Sequence, residues 1–102
     1  MVIYEVNCLV DTDIASEFEI WLRLHVDAIV NLDGFNSGKI FDLVQDARLD
    51  ERTGSKGFSV RYELDSIDSL NHYLEHHADV MRKDGLDRFG TRFSAYRRVL
   101  SA

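Results

Sequence analysis

The order in which the hydrophobic period changes along the chain limits its fold more than any other feature of the sequence. Apolar residues recur at every second position over residues 2–10 and at helical spacing over residues 14–32. Two strand-like stretches follow, over residues 39–44 and 57–64. A second helical stretch covers residues 67 to about 81, and a last strand-like stretch covers residues 92–100. The pattern therefore predicts a strand, a helix, two strands, a helix and a final strand.

This βαββαβ order is that of the ferredoxin-like fold, an α+β sandwich with two helices on one face of a four-stranded antiparallel sheet. A chain of 102 residues has the size of one domain, so we predict a single ferredoxin-like domain over residues 1–102. Two helices can cover only one face of such a sheet. We therefore expect a homodimer that forms through the uncovered sheet face.

Alternation along the strands separates two sets of side chains but does not show which set meets the helices. The apolar set is Val2, Tyr4, Val6, Phe58, Val60 and Tyr62, and the polar and aromatic set is Glu5, Asn7, Arg61, Glu63, Tyr96 and Arg98. If the first set meets the helices, the second lies on the open face. Such a face would suit a dimer with paired charges or a cavity that holds a polar ligand.

Local signals define the second helix and the longest loop. Ser66 is predicted to cap the second helix, and Gly85 to end it, because glycine accepts the left-handed conformation common at helix C-termini. The apolar stripe of this helix comprises Ile67, Leu70, Leu74, His77, Ala78 and Met81. The polar stretch 46–56 is predicted to be a long hairpin loop.

Composition and charge restrict the compartment and the partners. The net charge of −6 argues against nucleic acids and anionic membranes, since both attract a basic surface. No apolar run is long enough to span a bilayer, and the N-terminus begins a strand without the features of a signal peptide. The single cysteine, Cys8, excludes an internal disulfide and fits a reducing compartment. We therefore expect a cytoplasmic protein without nucleic-acid or membrane partners.

Several short motifs, most of them in the last third of the chain, stand out beside the periodic pattern. They comprise residues 3–6, Trp21, His25, 77–78, 81–82, 84–86, 88–89, 92–93 and 97–100. Together they resemble a bacterial family of small proteins of unknown function, related to the antibiotic-biosynthesis-monooxygenase-like superfamily. The resemblance implies a dimeric α/β barrel, in which two ferredoxin-like subunits pack their sheets together. That superfamily includes cofactor-free quinone-forming monooxygenases, haem-degrading enzymes, muconolactone isomerases and stress-response proteins, so it does not choose a function.

His25 lies near the centre of the apolar stripe of the first helix, one turn after Trp21. A histidine there is either a core residue bonded to a neighbour, or a general base or hydrogen-bond donor toward a ligand. In the second case we expect a ligand pocket between the helices and the sheet. The residues predicted to bind the ligand are Asn7, Trp21, His25, Tyr62 and His77.

His77 and Asn7 are similar in placement to two residues of the haem-degrading members of the superfamily, a second-helix histidine that ligates the iron and a first-strand asparagine. Those members also use a tryptophan on a strand. The only tryptophan of this chain, Trp21, lies in the first helix, and Tyr62 is the nearest strand aromatic. The chain departs from the haem pattern at this position, and no cofactor is predicted.

Two further motifs are interpreted as ordinary surface or strand features. His72 and His76 have the H-x-x-E-H spacing of inverzincins, but they lie opposite the apolar stripe and lack a third ligand, so no metal is predicted. The third strand resembles an RNA-recognition motif. However, Val60 stands where a base-stacking aromatic belongs.

Arginines on the last strand and around Gly85 complete the set of candidates. Arg97 and Arg98 point to opposite faces of the sheet, and we expect one of them to pair with Glu5 or Glu63 and the other to be solvated. The basic residues around Gly85 are Arg82, Lys83, Arg88 and Arg92. We expect them to form a solvated helix end.

Three classes of function remain open. The leading hypothesis is a small homodimeric protein that binds a small organic ligand between helices and sheet. The second is a cofactor-free monooxygenase or isomerase acting on an aromatic or polyketide-like substrate, with His25 or His77 as the base. The third is a non-catalytic dimeric interaction module. A bonded His25 in a closed core would favour the third class, and a cavity that touches either histidine would favour the first two.

Overall fold

Four antiparallel strands form one sheet in the computed structural model, which describes residues 1–102. The strands are β1 (Val2–Asp11), β2 (Phe35–Leu43), β3 (Ser55–Leu64) and β4 (Phe93–Ser101), in the spatial order β2-β3-β1-β4. β1 is central and places Glu5 opposite Arg61 of β3 and Arg98 of β4. The sheet and its helices confirm the predicted ferredoxin-like α+β fold.

Four helices connect the strands, namely α1 (Ala15–Val30), α2 (Ala47–Glu51), α3 (Ile67–His76) and α4 (Ala78–Phe89). The buried stripe of α1 has helical spacing and comprises Ala15, Phe18, Leu22, Val26 and Ile29. Ser66 caps α3 as predicted, because its hydroxyl accepts a hydrogen bond from the Ser69 N–H at 3.2 Å. None of the helices has the length and apolar character needed to cross a membrane.

The predicted second helix is in fact two helices separated at His77, and the prediction that it ends at Gly85 is wrong. Tyr73 and Ala78 are both buried, although residues five apart differ by about 140° around a regular helix. The break, with φ −128° and ψ −29° at His77, lets α3 and α4 each face the sheet. Tyr73 takes the buried place predicted for Leu74, and Gly85 lies within α4.

The predicted loop between β2 and β3 contains the short helix α2, which lies against the open face of the sheet. The Asp46 carboxylate caps α2 by accepting a hydrogen bond from the Arg48 N–H at 2.8 Å. It also accepts one from the Tyr96 hydroxyl of β4, and the Arg48 guanidinium lies 4.2 Å from the centroid of the Tyr96 ring. Contacts between residues far apart in the sequence therefore order this segment.

The helices cover the apolar set of strand residues, so the polar set lies on the open face. The helix-facing core residues of β1 and β3 are Val2, Tyr4, Cys8, Val10, Phe58, Val60, Tyr62 and Leu64. On the open face, Glu5 and Asn7 are each 1% exposed, whereas Phe41 of β2 is 48% exposed. This face therefore combines a buried polar centre with an uncovered apolar residue near the sheet edge.

The Glu5 carboxylate is the centre of the polar network on the open face. Its Oε1 accepts hydrogen bonds from Asn7 Nδ2 at 2.9 Å and from Arg98 Nε at 2.8 Å. Arg61 Nη2 lies 3.1 Å from Oε2, yet Oε2 has no hydrogen-bond partner. Burial by itself raises the pKa of Glu5, but the bonds from Asn7 and Arg98 and the two guanidinium charges together lower it. The carboxylate is therefore ionised, and the expected pairing of one of Arg97 and Arg98 with Glu5 or Glu63 is found between Arg98 and Glu5.

Candidate functional site

A cavity of about 230 Å³ lies between the helices and the part of the sheet that contains β1 and β4. Its walls are mostly apolar and aromatic, and they come from α1, α3 and α4 and from β1, β3 and β4. Trp21, His25 and Tyr62, three of the predicted ligand-binding residues, line it. For comparison, a cavity of about 150 Å³ accommodates a benzene molecule.

His25 is positioned by stacking on Trp21. The two ring centroids lie 4.5 Å apart, with 24° between the ring planes. Trp21 Nε1 donates a hydrogen bond to Asp84 Oδ2 at 2.7 Å, and Arg88 Nε donates to Asp84 Oδ1 at 3.2 Å. Gly85 leaves room for this arrangement, because a Cβ there would lie 2.8 Å from Trp21 Cη2. Helix α4 thus fixes the indole, and the indole fixes the imidazole.

Neither ring nitrogen of His25 forms a hydrogen bond with another group of the chain. Desolvation lowers the pKa of His25 and outweighs the Asp84 carboxylate, which raises it. The imidazole is therefore neutral at pH 7, with one nitrogen that can accept a proton and one that can donate a hydrogen bond. His25 is therefore not a core residue bonded to a neighbour. It fits the other interpretation, a group available to a ligand.

Buried phenol and thiol groups supply further polar atoms near the cavity. Tyr62 is 2% exposed, and burial raises its pKa well above the ordinary value. Burial also raises the pKa of Cys8 and that of Tyr73, each to about 12. All three groups are therefore protonated at pH 7, and Cys8 lacks the thiolate character that a nucleophile needs. The hydroxyls of Tyr62 and Tyr73 form no hydrogen bond within the chain.

Two arginines that the sequence reasoning did not place in the site also line the cavity. Arg82 Nη2 of α4 donates a hydrogen bond to the Tyr4 hydroxyl at 3.1 Å. Arg97 of β4 is exposed, but it also lines the cavity beside Phe93 and Ala95, without a hydrogen bond or ion pair to the chain. Arg97 could have been predicted to lie near the cavity, since alternation along β4 places it on a face that is otherwise apolar. No local signal exists for Arg82, because its place depends on the orientation of α4.

The cavity does not include Asn7 or His77, and the expectation that they share one pocket with Trp21 is corrected by the geometry. Asn7 lies on the open face of the sheet, where its amide donates to Glu5. His77 lies at the break between α3 and α4, with its ring 6.4 Å from the Tyr73 ring. The sheet separates the two residues, so the arrangement that would resemble a haem site does not form.

The remaining motifs lie outside the cavity. His72 and His76 are exposed, with ring centroids 4.4 Å apart. The basic residues around Gly85 do not act together, since most of them pair with separate carboxylates, as in Lys83–Asp87, Arg88–Asp84 and Arg92–Asp11. The expected solvated helix end is therefore a set of individual ion pairs, from which Arg82 is turned toward the cavity.

Three solved structures have a similar fold. A candidate antibiotic biosynthesis monooxygenase from Deinococcus radiodurans has a TM-score of 0.70 and 16% identity, over 100% of this chain and 92% of that one. A variant of SnoaB, a cofactor-independent oxygenase from Streptomyces nogalater, has a TM-score of 0.64 and 13% identity, over 99% and 92%. The de novo designed protein Foldit4 has a TM-score of 0.59 and 13% identity, over 99% and 97%. Because one of the three is a designed protein, the likeness concerns the fold alone.

None of the curated proteins matches this chain. One family model does match, and it covers residues 1–102. This match agrees with the resemblance to a family of unknown function that the short motifs indicate. The chain therefore belongs to the family described as Domain of unknown function (DUF4286).

Proposed function

We propose that this protein is a homodimer that binds a small organic ligand in the cavity between its helices and its sheet. The observation that carries the proposal is that His25 and Tyr62 present polar groups without a partner in the chain to a cavity whose walls are mostly apolar. These groups are not closed off in the core, since Glu5 Oε2 is the only fully buried side-chain nitrogen or oxygen atom without a hydrogen-bond partner, so they are accessible to a ligand in the cavity. Apolar walls with a few convergent polar groups are typical of small-molecule sites.

The open face of the sheet supports the dimeric part of the proposal. Phe41 is largely uncovered there, and Glu5 Oε2 lacks a hydrogen-bond donor although it is buried. A second copy packed on this face would cover Phe41 and could supply that donor. The ion pairs around Glu5 would remain intact within each subunit.

Native mass spectrometry of the protein purified from its own host tests both parts of the proposal. We expect the mass of two chains together with a reproducible adduct of small-molecule size. Ala95→Phe places an additional ring in the cavity, so it should lose the adduct and retain the dimer. Ala28→Phe is the matched control, because Ala28 is exposed on α1 and does not line this cavity.

Specific outcomes would contradict each part. An adduct that is equally abundant in Ala95→Phe would show that the ligand binds elsewhere. A chain that remains monomeric at micromolar concentration would exclude the dimer. A dimer that carries no adduct and binds none of a panel of aromatic acids and amides would exclude the ligand-binding function.

A cofactor-independent monooxygenase or isomerase is the second candidate, and the state of His25 favours it. A neutral imidazole with a free nitrogen at a cavity wall can act as a general base toward a C–H group of an aromatic or polyketide-like substrate. In the oxygenase case, the resulting carbanion reacts with O2. The CH2 group becomes C=O, one oxygen atom enters the product and the other leaves as water. Two proteins of similar fold are described as a monooxygenase and as a cofactor-independent oxygenase.

Oxygen uptake and deuterium exchange on 2-tetralone, a two-ring ketone with an activated CH2 group, distinguish the enzymatic possibilities. An oxygenase consumes one O2 per ketone formed, whereas an isomerase consumes none and exchanges the substrate C–H with solvent. His25→Gln should reduce either rate by about 10²–10⁴, the usual contribution of a general base. If neither O2 uptake nor exchange exceeds the rate without protein, or if His25→Gln leaves the rate unchanged, this candidate is excluded.

A further inference from the structure

The arginines of this chain differ in the partners of their guanidinium groups. Every arginine other than Arg48, Arg82 and Arg97 forms an ion pair with a carboxylate. Arg48 lies over the Tyr96 ring. The two that remain, Arg82 and Arg97, both line the cavity between the helices and the sheet. The net charge of this chain is −6. Even so, the two arginines that neither pair with a carboxylate nor lie over an aromatic ring are both at this cavity.

The positive charge of these two arginines is not balanced within the cavity. No aspartate or glutamate lines it. Asp84, the carboxylate that acts on His25, is already bound by Trp21 and Arg88. Both guanidinium charges lower the pKa of Tyr73, against the larger effect of burial.

We propose that the cavity selects a small aromatic carboxylate of one or two rings, with the carboxylate bound by Arg97 and the rings packed between the aromatic walls. This inference rests on the proposed ligand-binding function and names the class of ligand. A free guanidinium presents two parallel N–H donors that match a carboxylate. Arg97 has all of its donors free, whereas Arg82 uses one on Tyr4.

The walls and the size of the cavity fit the rest of such a ligand. Phe18, Trp21 and Phe93 surround the site, with the Phe18 ring centroid 5.4 Å from that of Trp21 and 5.1 Å from that of Phe93. Such walls favour flat rings, which pack in offset or edge-to-face geometry. The volume of about 230 Å³ exceeds what a single benzene ring needs, about 150 Å³, and is small for three fused rings.

A chemical-shift titration of the ¹⁵N-labelled protein with 2-naphthoate and with 2-naphthamide tests the inference. The two probes have the same rings and differ in charge. We expect shifts confined to the residues that line the cavity, and a Kd for naphthoate at least tenfold lower than that for naphthamide, equivalent to about 1.4 kcal/mol. In Arg97→Gln the preference for the acid should fall below about threefold, the amide keeping its Kd. Arg23→Gln removes the same charge from an exposed arginine of α1 and should keep the full preference.

Each other outcome overturns a defined part of the inference. Equal binding of acid and amide at the cavity would overturn anion selection and leave ligand binding supported. A preference that survives Arg97→Gln and disappears in Arg82→Gln would overturn the assignment to Arg97. Binding of neither probe at the cavity would overturn this inference, whereas the proposed function fails only if the native protein also carries no adduct and binds none of the panel. Arg97→Lys keeps the charge without the two parallel donors, so a partial loss of preference is expected even if Arg97→Gln folds poorly.

Discussion

His25 shows at the scale of a single residue how burial and a neighbouring charge together set a protonation state. Desolvation on the cavity wall favours the neutral ring, and the Asp84 carboxylate opposes this only in part. Stacking on Trp21 holds the ring without using either nitrogen. Both nitrogens consequently remain available to a ligand, whichever of the two proposed functions is correct.

The lowered pKa of His25 predicts a pH-dependent stability with a defined sign. In the unfolded chain this histidine has its ordinary pKa of 6.5, so below that pH the unfolded state binds more protons than the folded state. The free energy of unfolding should therefore decrease as the pH falls from about 7 through 6.5 to the lower pKa of the folded state. Urea unfolding of the wild type and of His25→Gln measures this. A pH dependence that is identical in the two proteins would contradict the prediction.

Asp84 influences His25 through its charge, which allows a second test. Asp84→Asn should lower the pKa of His25 further, because the carboxylate that raises it is removed. The asparagine oxygen can still accept the hydrogen bond from Trp21 Nε1, so the indole should stay in place. An NMR titration of the His25 ring proton measures the change, with Asp79→Asn on the first turn of α4 as the control. A pKa that rises or stays constant would contradict the electrostatic role.

Helix α4 shows at the scale of an element that packing can override local preference. Glycine in a helix interior costs about 1 kcal/mol relative to alanine, which is why Gly85 suggests a helix end. In the structure it lies within α4, facing the indole of Trp21, and a Cβ would approach Cη2 to 2.8 Å. A glycine is tolerated inside this helix because the absence of a side chain leaves room for the Trp21 indole.

Gly85→Ala should therefore destabilise the protein, although alanine is the better helix former. A tight contact with a rigid ring costs about 1–3 kcal/mol, and the gain in helix propensity offsets about 1 kcal/mol of it. We expect a net loss of about 1 kcal/mol in the free energy of unfolding, measured in urea. In a Trp21→Phe background the smaller ring leaves room, so the same substitution should become neutral or stabilising. A stabilising effect in the wild-type background would show that the indole moves aside.

On the open face of the sheet, packing also acts against local preference, because the Glu5 carboxylate is buried there. Glu5→Gln removes the negative charge between Arg61 and Arg98, so we expect a loss of about 1–3 kcal/mol in the free energy of unfolding at pH 7. The half-exposed arginines keep the value below that of a fully buried pair. Because the pKa of Glu5 is lowered in the folded state, its stabilisation is present above the unfolded pKa and is lost as the pH falls through the folded one. The stabilities of the two proteins should therefore converge as the pH falls below 4.5, the ordinary pKa of this side chain, and through the lowered pKa of the folded state. A constant difference between them would contradict the ionised state of Glu5.

At the scale of the whole molecule, the exposed Phe41 on the open face of the sheet allows a test of the proposed dimer. In a two-fold dimer, Phe41→Lys places one positive charge on the open face of each subunit, so the two charges meet in the interface. The mass measured by light scattering should therefore fall from that of a dimer to that of a monomer. Ile20→Lys is the control, because Ile20 is 66% exposed on α1, on the other side of the sheet. Dissociation by Ile20→Lys, with Phe41→Lys still dimeric, would place the interface on the helices.

The fold and part of the site could be predicted from the sequence because they depend on local periodicity. Alternation identified β1, β3 and β4, and helical spacing placed Trp21 and His25 on one side of α1. The second strand was predicted over residues 39–44, whereas β2 runs over Phe35–Leu43. The break at His77 was not predictable, since it arises from the need to bury both Tyr73 and Ala78. Asn7 was misassigned for a different reason, because its place in the pocket came from the resemblance to the haem-degrading members, although alternation already sets Asn7 and Tyr62 on opposite faces of the sheet.

The βαββαβ order of the main elements and the separation of apolar from polar strand residues could be derived from the sequence, because both depend on spacing along the chain. Which face the helices cover, how α4 is oriented and which polar groups have partners could be learned only from the folded chain. These depend on distances between residues far apart in the sequence, such as Trp21 and Asp84, or Arg82 and Tyr4. The cavity and its unpaired Arg97 belong to this second kind, since a group is known to lack a partner only once all its neighbours are in place.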